Sequence, residues 1–432
     1  MKVSSSLLSF GEKIRQIRVN KGLHQEDLAK AINTSKMFVS RLERGQADYD
    51  AHMLANIRKF YGIENAPIFD HELEDYRNRL WVCNDLITAQ NLQHAKTMLA
   101  TLSPIMELPF ERDLTLLYLM TEARILFREE NLEAGEERLN RTEALLDEAS
   151  SEALHLYHYN RGFLLLIRRD HKASLRHHLQ CLNHENNNVK LGVGVLYNIG
   201  TIYLQIGKPW QALTYLEYSK MKYDLGRTNI LESSINTNLA LAYTFVGEYE
   251  KAESLYNDAL AQVKSTNNDL LTGIALASLS FMYLCKGNNA ESLKAYNKSL
   301  ILVKNHSIYV KILTRKAFCL VRMKDFAQCK EVIEQCRELN KDDKNLAISI
   351  EAISHIMTLD NSESADHLEN FVIPHFRTSN DFENGGIYRA LTFCEILEAH
   401  YRKKRKIKKA NEIAVVGRDI YKEIYFGGVD FE

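Results

Sequence analysis

The sequence has few of the features that mark secreted, membrane-spanning or disulfide-linked proteins. Its 432 residues include only five prolines, which permits long helices because proline disrupts a helix interior. The seven cysteines are scattered without a CxxC pair, so we expect neither a disulfide framework nor a zinc knuckle. No long apolar run predicts a membrane span, and the N-terminus does not resemble a signal peptide. We therefore expect a helical, cytoplasmic protein.

Charge is nearly balanced over the whole chain but is divided unevenly along it. The formal net charge is −1, yet residues 1–66 contain eleven basic and seven acidic side chains. This N-terminal part is therefore basic, and the remainder of the chain is acidic. A small basic region on an acidic body indicates a nucleic-acid contact at one end of the protein.

A repeat occupies the middle of the chain. The segments "YNIGTIYLQIGKPWQALTYLEYS", "TNLALAYTFVGEYEKAESLYNDA" and "ASLSFMYLCKGNNAESLKAYNKS" follow one another at steps of 40 residues. A tyrosine, a glycine and two small residues recur in register, at Tyr203/Tyr243/Tyr283, Gly207/Gly247/Gly287, Gly200/Ala240/Ser280 and Ala212/Ala252/Ser292. This is the pattern of a tetratricopeptide repeat, in which small residues let the first helix approach the second. The usual period is about 34 residues, so longer helices or connections are expected.

Weaker copies of the repeat extend in both directions. The segments 76–105, 346–376 and 388–422 show helical pairs with degraded signatures, as expected for terminal units. About nine repeats result. The predicted fold is all-α, with an N-terminal helix-turn-helix domain over 1–66. A right-handed superhelical tetratricopeptide-repeat solenoid follows over 67–432, and the first helices of its repeats form the concave wall.

An asparagine column runs through the first helices of three consecutive repeats. Asn160, Asn198 and Asn238 share one register, which we call the amide column, and this register is expected to face the concave groove. An amide both donates and accepts, so the column suits the backbone of an extended peptide. The alternative is that each amide bonds to a neighbouring helix. The candidate peptide-binding residues are Tyr159, Asn160, Tyr197, Asn198, Thr201, Asn238, Lys311, Arg315 and Arg322.

The last three of these residues are cations spaced to face the same cavity. They would favour an acidic side chain or the free carboxylate of a peptide.

The N-terminal segment "FGEKIRQIRVNKGLHQEDLAKAINTSKMFVSRLERGQ" predicts three short helices. Apolar residues recur at helical spacing in three blocks, at Ile14/Ile17, Leu28/Ile32 and Val39/Leu42. Gly22 is expected to end the first helix, Asn33 to occupy a left-handed turn position, and Ser35 to cap the third helix. Two helices joined by so short a turn predict a helix-turn-helix, whose second helix enters the major groove of DNA.

The outward face of that third helix is suited to reading bases. Lys36 and Arg41 can donate to guanine, and Met37 can contact a thymine methyl group. Gln25, at the start of the preceding helix, is placed to reach a phosphate. A salt bridge between Arg18 and Glu43 is expected inside the domain. The candidate DNA-binding residues are Gln25, Ser35, Lys36, Met37, Ser40 and Arg41.

Other signals indicate neither catalysis nor a cofactor. The basic stretch "RKKRKIKKA", 402–410, falls across the turn and second helix of a terminal repeat, where a solvated edge is expected. His155 and His158 have the spacing of metal ligands but no acidic or cysteine partner, so no metal is predicted. We find no phosphate-binding loop, nucleophile elbow or catalytic carboxylate pair, and therefore predict that the protein is not an enzyme.

The stretch 10–61 resembles the Xre/Cro-type helix-turn-helix domain, including its "LHQEDLA" and "SRLERG" elements. His24 stands where Thr or Ser usually caps the second helix, and Asn33 replaces a usual glycine. Joined to the repeat body, the whole chain resembles the RRNPP family of peptide-sensing regulators, most closely its PlcR and NprR branches.

This resemblance implies an intracellular receptor for a short signalling peptide that is secreted and re-imported. The peptide would lie in the concave groove and control a homodimer bound to double-stranded DNA at a pseudo-palindromic operator. The aromatic C-terminal segment "IYKEIYFGGVDFE" also favours a dimer. Two alternatives remain: a repeat scaffold that binds and inhibits a phosphorelay protein, and a binding module whose head only dimerises.

Overall fold

The computed structural model describes residues 8–184, 189–223, 229–264, 268–340, 343–378 and 386–425. Every regular element in these ranges is helical, as the sequence predicts, and none of them contains a strand. The chain forms two compact units, Met1–Gly192 and Val193–Glu432. No helix in the described ranges is long and apolar enough to cross a membrane.

Four short helices form the head of the first unit. They are α1 (Phe10–Asn20), α2 (Gln25–Ala31), α3 (Lys36–Glu43) and α4 (Ala51–Tyr61). The predicted stops and caps are confirmed: Gly22 and Asn33 have φ of +68° and +54°. Ser35 accepts a hydrogen bond from the Phe38 amide at the start of α3. These local signals set the short turn between α2 and α3.

The head is held together by an apolar core and one buried ion pair. The six apolar residues predicted from the periodicity are all buried. The predicted salt bridge is present, because Arg18 Nε and Nη2 donate to the two carboxylate oxygens of Glu43 at 2.6 and 3.0 Å. Glu43 is 3% exposed, so this pair ties α1 to α3 from inside the domain.

Nine antiparallel helix pairs follow the head in the described part of the chain. The first unit contains α5 (Asp70–Thr88), α6 (Leu92–Thr101), α7 (Arg112–Arg128), α8 (Leu132–Glu143), α9 (Ser151–Ile167) and α10 (His171–Cys181). Helix α11 (Val189–Gln205) crosses the boundary between the units. The second unit continues with α12 (Pro209–Tyr223), α13 (Asn229–Phe245), α14 (Tyr249–Lys264), α15 (Asp269–Cys285), α16 (Asn289–Leu302), α17 (Tyr309–Arg322), α18 (Phe326–Leu339), α19 (Lys344–Met357), α20 (Ser362–His367), α21 (Ile373–Thr378), α22 (Gly386–Lys403) and α23 (Ile407–Tyr425).

The 40-residue period arises from long helices, since α13 and α14 contain 17 and 16 residues. Small residues bring the two helices of a pair together, as predicted. A Cβ added to Gly200 would lie 2.5 Å from Leu216 Cγ and 3.3 Å from the Ala212 carbonyl oxygen. At the equivalent position of a later repeat, the buried Ser280 hydroxyl donates to the Ser292 carbonyl.

One left-handed residue marks the turn within eight of the nine described pairs. These residues are Gln90, Glu130, Arg169, Gly207, Gly247, Gly287, Lys324 and Arg405. The exception is the pair α19/α20, whose turn over 358–361 contains no positive-φ residue. A π-helical turn, Leu368–Val372, separates α20 from α21 in this same irregular repeat.

The head makes several contacts with the beginning of the repeats inside the first unit. Lys13, which is 3% exposed, donates to the Ile68 carbonyl at 2.8 Å and to Asp70 at 2.9 Å. Arg58 on α4 donates to both carboxylate oxygens of Glu72 on α5 at 2.7 and 2.9 Å. The predicted domain boundary at 66/67 lies between these partners and stays a prediction.

Candidate nucleic-acid and peptide interfaces

Helix α3 presents its predicted outward face to solvent. Lys36, Met37 and Arg41 are exposed and Ser40 is half-buried, whereas Val39 and Leu42 on the opposite face are in the core. Met37 is 74% exposed, so its side chain is accessible for contact with a thymine methyl group. The helix thus carries two cations, a hydroxyl and an apolar tip on one accessible surface.

The two cations of this face make contacts that DNA can replace. Lys36 Nζ lies 2.6 Å from a Glu26 carboxylate oxygen, with both side chains about half-exposed. Arg41 Nη2 donates to the Gln46 carbonyl at 3.1 Å at the surface. Exposed pairs of this kind contribute at most about 1 kcal/mol, so exchanging them for phosphate or base contacts costs little.

Gln25 and Ser35 hold the domain together in this structure. Gln25 Nε2 donates to Glu43 Oε2 at 2.8 Å and so joins the Arg18–Glu43 pair. The Ser35 hydroxyl caps α3. The expectation that the Gln25 side chain reaches toward a phosphate differs from this inward arrangement, because a buried carboxylate with a free lone pair attracts the nearby amide.

The first member of the amide column is buried between helices. Asn160 is 0% exposed, and its Nδ2 donates to the Met120 carbonyl of α7 at 2.8 Å. Tyr159 is also buried, and the centroid of its ring lies 5.0 Å from the Arg124 guanidinium carbon. These positions differ from the open groove expected for both residues and agree with the alternative, in which the amide bonds to a neighbouring first helix.

The two column members of the second unit differ in exposure, since Asn198 is buried and Asn238 is not. Asn238 is half-buried, and its Nδ2 donates to Thr201 Oγ1 at 2.8 Å. The Thr201 hydroxyl in turn donates to the Tyr197 carbonyl at 2.8 Å. Asn198 is 6% exposed. Asn238 therefore also bridges neighbouring first helices, α13 and α11, but keeps part of its surface accessible.

A related polar network at the start of the repeats was missed by the sequence reasoning. Arg124 is 3% exposed and donates to the Asn84 carbonyl, to Asn84 Oδ1 and to the Thr88 hydroxyl. Asn84 also donates to Thr121 Oγ1 at 2.8 Å. The available signal was that Thr121 occupies the amide-column register one repeat before Asn160, so a polar bridge is a recurring feature there.

The three predicted cations lie on one helix of the second unit. Lys311, Arg315 and Arg322 all belong to α17, and their spacing of four and seven residues places them on one face. Lys311 and Arg315 are half-buried and Arg322 is exposed. This face can attract an anionic group, as the sequence analysis expects.

The structure brings together histidines that are separate in sequence. His158 Nδ1 lies 3.0 Å from His177 Nδ1, and His155 Nδ1 lies 2.9 Å from the Cys181 carbonyl oxygen. Burial and the neighbouring His177 and His184 lower the pKa of His158 to about 4. These rings are thus mainly neutral packing groups between α9 and α10 near pH 7.

Two further expectations concern the C-terminal part of the chain. The basic stretch 402–410 spans the turn between α22 and α23, and residues 402–408 are exposed, so the prediction of a solvated edge is confirmed. Of the aromatic segment "IYKEIYFGGVDFE", residues 426–432 lie outside the described residues. The predicted homodimer stays a prediction.

Comparison with known proteins identifies both parts of the chain. A helix-turn-helix family model matches residues 14–64, and a tetratricopeptide-repeat model matches residues 231–304. Among curated proteins, the transcriptional activator NprA of Geobacillus stearothermophilus is 19% identical over 398 residues. That alignment spans 88% of this chain and 95% of the relative.

Solved structures share the repeat fold. The quorum sensor NprR of B. thuringiensis without peptide superposes with a TM-score of 0.63 at 18% identity, covering 81% of this chain and 99% of that one. NprR with its cognate peptide NprX gives 0.62 at the same identity and coverage. A Rap protein complexed with competence and sporulation factor gives 0.68 at 13% identity, again covering 81% and 99%.

The sequence match to the activator extends over most of both chains. The helix-turn-helix model covers α2 and α3 together with their buried core. The chain therefore has a helix-turn-helix head and a tetratricopeptide-repeat body, and it is similar over 88% of its length to a transcriptional activator.

Proposed function

We propose that the protein is a cytoplasmic quorum-sensing transcriptional regulator. It binds a pseudo-palindromic operator as a homodimer through α3, and a short re-imported peptide bound by its repeats controls it. The exposed face of α3 carries this proposal, because two cations, Ser40 and an exposed Met37 occupy the surface that a helix-turn-helix inserts into the major groove. The repeat fold shared with NprR, which was solved with its cognate peptide, supports the control by peptide.

The DNA-binding part of the proposal is tested by a double substitution on α3. Arg41→Ala with Lys36→Ala removes both base-reading donors while leaving the buried face of α3 intact. A lost bidentate contact costs about 1–3 kcal/mol of specific binding. A mobility-shift assay on genomic fragments should show weakened specific binding, whereas the control Lys59→Ala, an exposed cation on α4, should change only the salt-dependent affinity. Unchanged operator affinity in the double variant contradicts the proposal.

The peptide site is proposed on the first helices of the second unit. Asn238 and Thr201 supply amide and hydroxyl groups, Tyr197 lies beside them, and the cationic face of α17 supplies the charge for an acidic group or a free carboxylate. Asn160, Tyr159 and Asn198 are left out of this site because all three are buried. Thr201 is central to this site, because a peptide carbonyl can replace its hydroxyl as the hydrogen-bond acceptor of Asn238.

Calorimetry with a synthetic peptide, taken from a short exported pro-peptide encoded beside the gene, tests this site. Asn238→Ala should weaken binding about 5- to 150-fold, the equivalent of losing one buried amide contact. Arg315→Ala should weaken binding of a peptide with a free C-terminal carboxylate more than binding of its amidated form. Wild-type affinity in both variants would place the peptide elsewhere.

The scaffold alternative remains a separate candidate because the Rap fold covers the same 81% of the chain. It predicts that the isolated protein binds a phosphorelay partner and that operator binding is absent. The mobility-shift assay distinguishes the two, since specific binding that depends on Arg41 belongs only to the regulator.

A further inference from the structure

Three potential metal ligands converge in the irregular repeat of the second unit. Glu351 and His355 lie one turn apart on α19, and His367 is the last residue of α20. His355 Nε2 and His367 Nε2 lie 3.8 and 3.6 Å from the same carboxylate oxygen, Glu351 Oε1. One ligand atom from each residue falls within 4.8 Å of the other two.

A chain of hydrogen bonds fixes the orientation of the His355 ring. The Thr358 hydroxyl lies 3.2 Å from the Ser354 carbonyl oxygen and 2.9 Å from the Ser364 hydroxyl, and either hydroxyl can be the donor of the second bond. Ser364 Oγ also lies 3.2 Å from His355 Nδ1, and it can accept a hydrogen bond from that nitrogen. A neutral ring with its proton on Nδ1 directs the lone pair of Nε2 toward the Glu351 carboxylate.

The second imidazole meets the same carboxylate without a hydrogen bond. His367 Nε2 is buried and has no hydrogen-bond partner among the described residues, and its 3.6 Å separation from Glu351 Oε1 exceeds hydrogen-bond length. The two rings are close together, with centroids 4.3 Å apart. Two imidazole nitrogen atoms thus lie just beyond hydrogen-bond length from one carboxylate oxygen, an arrangement that a cation between them would stabilise.

We propose that Glu351, His355 and His367 bind one zinc ion. Ligand atoms about 2.0–2.1 Å from tetrahedral zinc lie about 3.3 Å apart, so the two distances from the histidine nitrogens to Glu351 Oε1 need to close by only a few tenths of an ångström. Two imidazoles and one carboxylate form a common protein ligand set for zinc, with water as the fourth ligand. The contact between Ser364 Oγ and His355 Nδ1 is the kind of hydrogen bond that holds the ring of a metal-binding histidine in place.

The position of the site gives the metal a structural consequence. The pair α19/α20 lacks the left-handed turn residue of the other described repeats, and the π-helical turn Leu368–Val372 begins directly after His367. π-Helical turns are frequent at functional sites. A zinc ion there links α19 to α20 where the repeat geometry is least regular, and so stabilises the second unit.

The test uses the full-length chain without a polyhistidine tag. Titration with zinc chloride in a calorimeter should show one site per chain, and cobalt(II) should give the visible absorption of tetrahedral coordination. Glu351→Gln changes an exposed residue and should weaken zinc binding about tenfold or more, while Ser364→Ala should weaken it about 10- to 100-fold. Zinc should raise the melting temperature of the wild type and not that of Glu351→Gln.

Two matched controls make the result specific. His375→Gln, on the neighbouring α21, and His158→Gln, in the histidine pair of the first unit, should both bind zinc like the wild type. Circular dichroism establishes that each variant is folded before titration. The proposal is overturned if the wild type binds no zinc at micromolar concentration, if Glu351→Gln binds it within twofold of the wild type, or if His158→Gln loses the site.

Discussion

At the scale of single residues, the direction of a polar side chain is what the sequence could not supply. Asn160 and Asn238 share one register and one residue type, yet one is fully buried and the other keeps accessible surface. Both amides bond to the preceding first helix, through a carbonyl in one case and a hydroxyl in the other. The register of the column was predictable from the repeat, but the extent to which each amide is buried was not.

The burial of Asn160 predicts that its replacement by alanine lowers stability more than the same replacement of an exposed asparagine. Asn160→Ala removes the hydrogen bond to the buried Met120 carbonyl, so it should lower the free energy of unfolding by about 1–3 kcal/mol. Asn257→Ala, at an exposed helical position of α14, is the matched control and should change stability by less than about 0.5 kcal/mol. Denaturant unfolding followed by circular dichroism measures both. Equal stability of the two variants would contradict the role of Asn160 in helix packing.

The histidine pair of the first unit predicts a pH dependence of stability. The pKa of His158 is lowered from 6.5 to about 4, so the unfolded chain binds a proton that the folded chain excludes. Its contribution to stability is complete above pH 6.5 and decreases as the pH falls toward 4. Thermal unfolding at pH 7, 6 and 5 should show a smaller loss in His158→Gln than in the wild type. The exposed His306→Gln variant is the control and should follow the wild type.

At the scale of elements, the turns show how far the sequence determines the fold. Three glycines at steps of 40 residues gave the repeat its signature, and all three adopt positive φ. Gln90, Glu130, Arg169, Lys324 and Arg405 adopt the same conformation with four different residue types, none of them glycine. Their repeats were therefore faint in the sequence, although helix pairing places the same backbone conformation there.

Substitutions at one turn that contains glycine and at one that does not should change stability in different ways. Gly247 has φ of +83° with open space around its Cα, so Gly247→Ala should destabilise the second unit by about 1 kcal/mol through left-handed strain alone. Glu130 has φ of +62° and is exposed, so Glu130→Gly relieves such strain in the first unit. Calorimetric scans should show a lower melting temperature for Gly247→Ala and no decrease for Glu130→Gly. A stabilised Gly247→Ala variant contradicts the account.

At the scale of the whole molecule, the head is attached to the repeats by charged contacts as well as by the chain. Lys13 bonds to the Ile68 carbonyl and to Asp70, and Arg58 forms a bidentate pair with Glu72. Burial opposes ionisation of Glu72, yet Arg58 and the Ile68 and Phe69 amides outweigh it and lower the pKa of Glu72 below its ordinary value. The sequence predicted both domains but not these contacts, because their partners are far apart in the helical pattern.

If the proposed function holds, we propose that these contacts carry the effect of the peptide to the head. The factor by which peptide changes operator affinity then equals the factor by which operator changes peptide affinity. Glu72→Gln weakens the bidentate pair without touching α3 or the proposed peptide site. The variant should therefore bind operator alone and peptide alone like the wild type, while the coupling factor moves toward one.

Fluorescence anisotropy of labelled operator, titrated with the protein at zero and saturating peptide, measures that factor directly. The exposed Glu74→Gln variant on the same helix is the control and should keep the wild-type coupling. The idea also predicts a loss of coupling in acid, because the Arg58–Glu72 pair is present above the ordinary glutamate pKa and is lost as the pH falls through the lowered value. Wild-type coupling in Glu72→Gln would show that the signal reaches the head by another path.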